Sequence, residues 1–216
     1  YLTADNGNFN NVILTDKDII LVFDQKTVLK EEMGVAKCSM PYALNSDIIR
    51  DEVLERYIDP ERPVVAITYD DGPGGPAEDR IIKTLARNGC VATFFYEGDR
   101  VENFSENVVD AVAIGCEIGN NSWDHPVFKS MAEKQVAREI KKTNNVIFKV
   151  SGVRPTVARP PYGEYDSTVV DATDMPEIMW DVDTLDWKSR DAKSVFSIVK
   201  KQKSLDGKII LMHSLY

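Results

Sequence analysis

From Pro63 onward the chain alternates apolar, β-branched runs with amphipathic stretches, and this pattern limits its fold more than any other feature. "VVAITY" (Val64–Tyr69) reads as a buried strand. "AEDRIIKTLARNG" (Ala77–Gly89) reads as a helix, with Ile81, Ile82 and Leu85 on one face and Gly89 at its end. "VATFFY" (Val91–Tyr96) is a strand, "SENVVDAVAIG" (Ser105–Gly115) a helix and "CEIGN" (Cys116–Asn120) a strand. A long helix is expected over Ser130–Ile147, opened by a Ser130/Glu133 capping box and striped by Ala132, Val136, Ile140 and Ile147. "TVARPP", "IMWDVD" and "KIILMH" supply three more strands, with a helix at Asp191–Gln202 between the last two. Strand–helix alternation implies an α/β fold built on a parallel sheet, open or closed into a barrel.

The first 57 residues have a different character. "DIILVFDQ" (Asp18–Gln25) and "VAKCSMPY" (Val35–Tyr42) read as strands and Asn45–Tyr57 as a short helix, followed by the Pro-bounded linker "IDPERP" (Ile58–Pro63). This stretch is too short to bury a core of its own. Residues 1–57 are therefore expected to be the tail of an accessory α/β segment with its linker, and 58–216 the main domain. The chain begins at Tyr1 rather than Met and is read as a piece of a longer protein.

Charge and cysteine usage narrow the function. The net charge of −9, with no basic block, argues against nucleic-acid binding, which requires clustered Lys and Arg against phosphates. No run of about 18 apolar residues is present, so no membrane span is expected in this chain. Three cysteines without CxxC spacing argue against a disulfide framework, and Cys90 and Cys116 read as buried thiols. A monomer is expected.

In parallel α/β folds the reactive groups lie at the C-terminal ends of the strands. Here those positions hold Asp70 and Asp71, then Asn121 and His125, Arg159 and Tyr162, Asp183, Asp186 and Trp187, and finally His213. The chain has only two histidines, and both follow expected strands. "TYDDGPGGP" places adjacent carboxylates on an expected tight turn, where they repel unless a cation or proton intervenes. Carboxylates, imidazoles and a guanidinium so placed can carry protons, and together they can hold a divalent metal.

"TYDDGP", "NNSWDHP", "ARPPYG", "DVDTLDW" and "ILMH", in this order, resemble the motifs of the polysaccharide deacetylases, the NodB-homology group known as carbohydrate esterase family 4. The resemblance runs from Pro63 to His213. It implies a distorted (β/α) barrel, preceded here by the short α+β segment, and a divalent metal, zinc first with cobalt or manganese as alternatives. The implied activity is removal of N-acetyl groups from N-acetylglucosamine-type cell-wall glycan, peptidoglycan above all. Asp70 resembles the general base, and Arg159 the residue that holds it. Asp71, Asn121 and His125 occupy the metal-ligand positions. The backbone N–H of Tyr162 resembles the oxyanion donor. His213 resembles the general acid, Asp186 the carboxylate tuning it, and Trp187 and Leu211 the walls of the acetyl pocket, with Tyr162 also facing substrate.

The family usually has histidine at position 121. Asparagine offers a neutral amide oxygen, a harder and weaker donor than imidazole. Two alternatives stay open on that account: a glycan-binding pseudoenzyme without its full metal site, and an esterase acting on O-acetyl groups as in acetylated xylan. Trp123 either stacks on sugar or packs within its own loop. More loosely, "LTDKDIILVFDQ" and "KCSMPY" resemble the small α/β domain of a lysozyme-binding anti-sigma factor. That implies a bacterial wall enzyme outside the membrane, anchored to it in the full-length protein.

Overall fold

The computed structural model describes residues 9–14, 19–24 and 63–215. Strands β1 (Phe9–Leu14) and β2 (Ile19–Asp24) pair as an antiparallel hairpin, so the strand expected at Asp18–Gln25 is present. The strand expected at Val35–Tyr42 and the helix expected at Asn45–Tyr57 lie outside the described residues.

The main body alternates as expected. Its elements are β3 (Val65–Gly72), α1 (Pro76–Arg87), β4 (Thr93–Tyr96), α2 (Gly98–Val101), α3 (Ser105–Ala113), β5 (Glu117–Asn120), α4 (Glu133–Ser151), α5 (Ser167–Thr173), β6 (Val182–Asp183), α6 (Asp186–Ser189), α7 (Ala192–Lys200) and β7 (Lys208–His213). The sheet order is β5-β4-β3-β7-β6, and every neighbouring pair is parallel. Two isolated bridges continue the ring, from Asn120 to Ala158 and from Ala158 to Glu177. The segment 177–183 thus touches both edges. Ile178 N–H donates to the Ala158 carbonyl at 2.8 Å, and Asp181 N–H donates to the Ile209 carbonyl at 2.8 Å. Hydrogen bonding closes the sheet into a distorted barrel.

Helices cover the outside, so β4 and β5 are buried at every residue. Phe94, Tyr96, Ile118, Ile147 and Ile210 belong to the main core, each side chain contributing about 1.5–3 kcal/mol by leaving water. Phe95 alternates to the opposite face, where the Arg159 guanidinium lies 4.2 Å from its ring centre. Cys90 and Cys116 are buried, as expected.

Three local expectations are corrected. The Asp70–Asp71 pair is not on a tight turn: β3 runs on to Gly72, with an irregularity in its register against β4 between Tyr69 and Gly72. The long helix starts at Glu133 rather than Ser130. Ala132 N–H donates to Gln135 Oε1 at 2.8 Å, while the Ser130 hydroxyl turns back onto the Val127 carbonyl in a 3-10 turn. "TVARPP" is a single bridge residue, Ala158, rather than a strand. Pro155, Pro160 and Pro161 have no N–H to give to a ladder, which limits pairing to the residues between them.

Candidate active site

The ends of β3 and β7 set the first pair of groups. Their parallel register places Asp70 beside His213. The bulge in β3 then carries Asp71 round at φ 66°, so consecutive carboxylates do not simply alternate across the sheet. Ser122, His125, Tyr162 and Leu185 also have positive φ. Strained backbone of this kind concentrates where a loop must aim a side chain.

Asp70 is buried. Arg159 Nη1 donates to its Oδ1 at 2.7 Å and to Thr68 Oγ1 at 2.8 Å. The rest of the guanidinium is held by carbonyls, Nε on Ile178 at 2.7 Å and Nη2 on Met179 at 3.2 Å. Burial raises the Asp70 pKa to about 6; Arg159 pulls against that rise and Asp71 adds to it.

His213 is gripped by Asp186, whose Oδ1 lies 2.7 Å from the ring Nδ1 and whose Oδ2 accepts the His213 backbone N–H at 2.7 Å. Burial disfavours the imidazolium. The hydrogen bond and charge of Asp186 outweigh it, with Asp71 and Asp70 adding, and the His213 pKa is raised.

The loop after β5 is built on Asn120. Its amide donates to the Ile140 carbonyl and to Asn144 Oδ1, and its own Oδ1 accepts the Ser122 N–H at 2.8 Å. Ser122 Oγ accepts the His125 N–H at 2.9 Å, and Glu139 Oε2 accepts the Trp123 N–H at 3.0 Å. So anchored, His125 Nε2 stands 3.4 Å from Asp71 Oδ1, and Asn121 Nδ2 donates to that same oxygen at 3.2 Å. Burial lowers the His125 pKa, Asp71 opposes this and His213 reinforces it.

A cleft of about 360 Å³ opens over these groups, lined by Asp70, Asp71, His125, Tyr162, Gly163, Trp180, Asp183, Trp187, Leu211 and His213. Arg159 and Asn121 lie buried rather than in its lining. Tyr162 packs edge-on against His125 at 4.4 Å between ring centres and is 61% exposed. Trp123 does not line the cleft. It packs on the core, with Lys142 Nζ 3.4 Å from its ring centre.

Sequence reasoning missed Trp180 and Glu97. Trp180 is a cleft wall within "IMWDVD", read only as strand. Glu97 follows β4 as a single acid. One oxygen of Glu97, one of Asp71 and one ring nitrogen of His125 lie within 4.8 Å of one another. Burial, then the charge of Asp71, pushes Glu97 up to about 8, with Arg100 partly offsetting.

These residues fit a divalent cation. Asp71 and His125 share one point of approach, and Asn121 Oδ1 is a buried acceptor with no hydrogen-bond partner among the described residues. A buried acceptor without a partner is costly, and a cation would satisfy it.

A closed parallel barrel with an acid–imidazole–guanidinium cluster at its strand ends defines the class. The chain belongs to the polysaccharide deacetylase family, whose profile, "Polysaccharide deacetylase", matches residues 57–176. It is 31% identical over 232 aligned positions to a peptidoglycan-N-acetylmuramic acid deacetylase of Bacillus subtilis (strain 168), covering 97% of this chain and 50% of that protein. It is 37% identical over 152 residues to a peptidoglycan-N-acetylglucosamine deacetylase of Listeria monocytogenes, covering 70% of this chain and 32% of that one. The chain thus spans half or less of the length of these two curated relatives. The solved structure of the Bacillus subtilis peptidoglycan deacetylase PdaC superposes with a TM-score of 0.71 at 38% identity, over 74% of this chain and 78% of that one.

Proposed function

We propose that this chain is a metal-dependent hydrolase that removes N-acetyl groups from peptidoglycan-type glycan. The observation that carries the reading is the pair of opposed proton carriers in one cleft, Asp70 held by Arg159 and His213 held by Asp186. Asp71, Asn121 and His125 would hold the metal, zinc first, with cobalt or manganese as alternatives. When bound, such an ion polarises the acetyl carbonyl and lowers the pKa of water.

Asp70 takes the proton of the attacking water. The Tyr162 backbone N–H receives the charge that develops on the carbonyl oxygen. His213, kept protonated by Asp186, gives its proton to the leaving nitrogen as the C–N bond breaks, which releases acetate and the sugar amine. Leu211 and Trp187 flank the acetyl methyl group. Each proton transfer of this kind contributes about 10²–10⁴-fold. Residues 58–216 form the catalytic domain in this reading, and 1–57 the tail of an accessory segment. The relatives' peptidoglycan substrates support a cell-wall location; anchoring of the full-length protein to the membrane is a further part of this proposal.

The test is acetate release from N-acetylglucosamine oligomers and from peptidoglycan, comparing chelator-treated protein with the same protein given Zn²⁺, Co²⁺ or Mn²⁺. Release that depends on metal is expected. Asn121→His should tighten zinc by roughly 10–1,000-fold, because imidazole replaces an amide oxygen. No release with any ion from folded protein would favour the glycan-binding pseudoenzyme. Release only from acetylated xylan would favour the esterase.

A further inference from the structure

Glu97 has no assigned task in the reaction above. It sits at the end of β4, where its backbone N–H donates to the Gly72 carbonyl at 2.8 Å. That bond ties it to the bulge that aims Asp71. Its carboxylate makes no hydrogen bond or ion pair among the described residues, yet it approaches Asp71 and His125 within 4.8 Å. Asn121, 1% exposed, donates through Nδ2 to Asp71 Oδ1 and leaves its own Oδ1 buried without a hydrogen-bond partner among the described residues. Two carboxylates and an imidazole therefore converge, and turning over the Asn121 amide, which now donates to Asp71 through Nδ2, would offer its Oδ1 on that side. Like charges so placed repel, and a divalent cation between them turns the repulsion into attraction.

We propose that Glu97 is a further metal ligand, completing Asp71, Asn121 and His125 as a four-donor site. The inference rests on the reading of those three residues given above. It gives the weak amide donor at position 121 a chemical counterpart, since a charged oxygen replaces donor strength that the amide lacks. The donor set becomes three oxygens and one nitrogen. Oxygen-rich sets suit harder cations such as manganese better than nitrogen- and sulfur-rich sets do. Zinc is usually four-coordinate and needs an open position for catalysis, whereas a six-coordinate ion keeps two positions free beside four protein donors. The site is thereby biased toward Mn²⁺ relative to a site without Glu97.

The experiment measures Mn²⁺ and Zn²⁺ dissociation constants on the whole 216-residue chain by competition with a chromophoric chelator, and the Co²⁺ absorption spectrum alongside. Wild type, Glu97→Gln, Glu97→Asp and Asp99→Asn are compared, with folding checked by circular dichroism. Glu97→Gln should weaken Mn²⁺ by roughly 10–100-fold, Zn²⁺ by less, and alter the Co²⁺ spectrum. Glu97→Asp should fall between. Asp99→Asn, which removes a nearby exposed charge, should stay within about threefold of wild type. Unchanged Mn²⁺ binding and an unchanged Co²⁺ spectrum in Glu97→Gln would overturn the proposal while leaving the three-residue site standing. Equal weakening by Asp99→Asn would overturn it too, since the effect would then be a general field. Failure of wild type to bind any of the ions would sink this proposal and the metal-dependent reading together.

Discussion

Both oxygens of Asp186 hold the single residue His213, one on its ring Nδ1 and one on its backbone N–H, each at 2.7 Å. The grip fixes the ring and favours its charged form. Asp186→Asn should lower the His213 pKa from above its ordinary 6.5, read by proton NMR of metal-free protein. With two histidines in the chain, assignment is simple. The linkage has a definite sign. A histidine with a raised folded pKa adds stability that is complete below about 6.5 and lost as pH rises through the folded value. The variant should therefore be less stable than wild type at pH 6, with the difference shrinking toward alkaline pH. The alkaline limb of activity should move to lower pH. An unchanged His213 titration would remove Asp186 from this role.

Asp70→Asn separates proton transfer from metal binding. Asn keeps an acceptor for Arg159 but cannot take a proton from water. Turnover should fall by about 10²–10⁴-fold. Metal affinity should stay within about threefold, because Asp70 accepts from Arg159 rather than facing the Asn121 amide. Replacing a charge-assisted bond to a buried guanidinium should cost about 1.5–3 kcal/mol in urea unfolding. A parallel loss of metal affinity would assign Asp70 to the metal site instead.

The chemistry was more legible in the sequence than the supports beneath it. Asp70, Asp71, His125, Arg159 and His213 could be found because each polar group follows an apolar strand, and the structure brings them to one end of the barrel. Glu97 also follows an apolar strand, "TFFY", but as one acid with no partner nearby in sequence it reads like any solvated loop residue. Its environment is created by the β3 bulge and by a loop 24 or more residues further on, which no local pattern encodes. Asn120 and Glu139 were missed for a similar reason: their work is to hold backbone groups distant in sequence. The Ser130/Glu133 pattern misled because Gln135, two residues further on, takes the helix-start bond instead by accepting the Ala132 N–H.

Gly119 tests how packing reaches the chemistry. It pairs with Phe95 across β4 and β5, and a Cβ there would lie 2.4 Å from Phe95 Cδ1. The Phe95 ring in turn supports Arg159, which holds Asp70. Gly119→Ala should cost about 1–3 kcal/mol through overpacking. It should also lower kcat/KM, because the displaced ring presses on the guanidinium. Gly152→Ala is the control: its φ of +74° makes Ala strained, but nothing lies within 4 Å of the added carbon. It should destabilise by about 1 kcal/mol and leave kcat/KM unchanged. Equal catalytic losses in both variants would disconnect Phe95 from the site.

Glu78 supports the loop that follows Asp71 and gives stability a pH dependence of its own. It is fully buried in α1, where Oε1 accepts the Tyr96 hydroxyl at 2.6 Å and Oε2 accepts the Gly74 N–H at 3.0 Å. A Cβ on Gly72 would lie 2.4 Å from that second oxygen, so the chain passes directly over the carboxyl group. Burial raises the Glu78 pKa above its ordinary 4.5, and the hydrogen bonds only partly offset it. For a carboxyl with a raised folded pKa, the stabilisation is complete below about 4.5 and is lost as pH rises through the folded value. Glu78→Gln keeps an acceptor for Tyr96, loses the one for Gly74 and does not titrate. The Tm of wild type minus that of the variant should therefore be largest near pH 4.5 and shrink toward pH 9. A difference that stays constant across this range would mean that Glu78 titrates alike folded and unfolded, its hydrogen bonds counteracting burial completely.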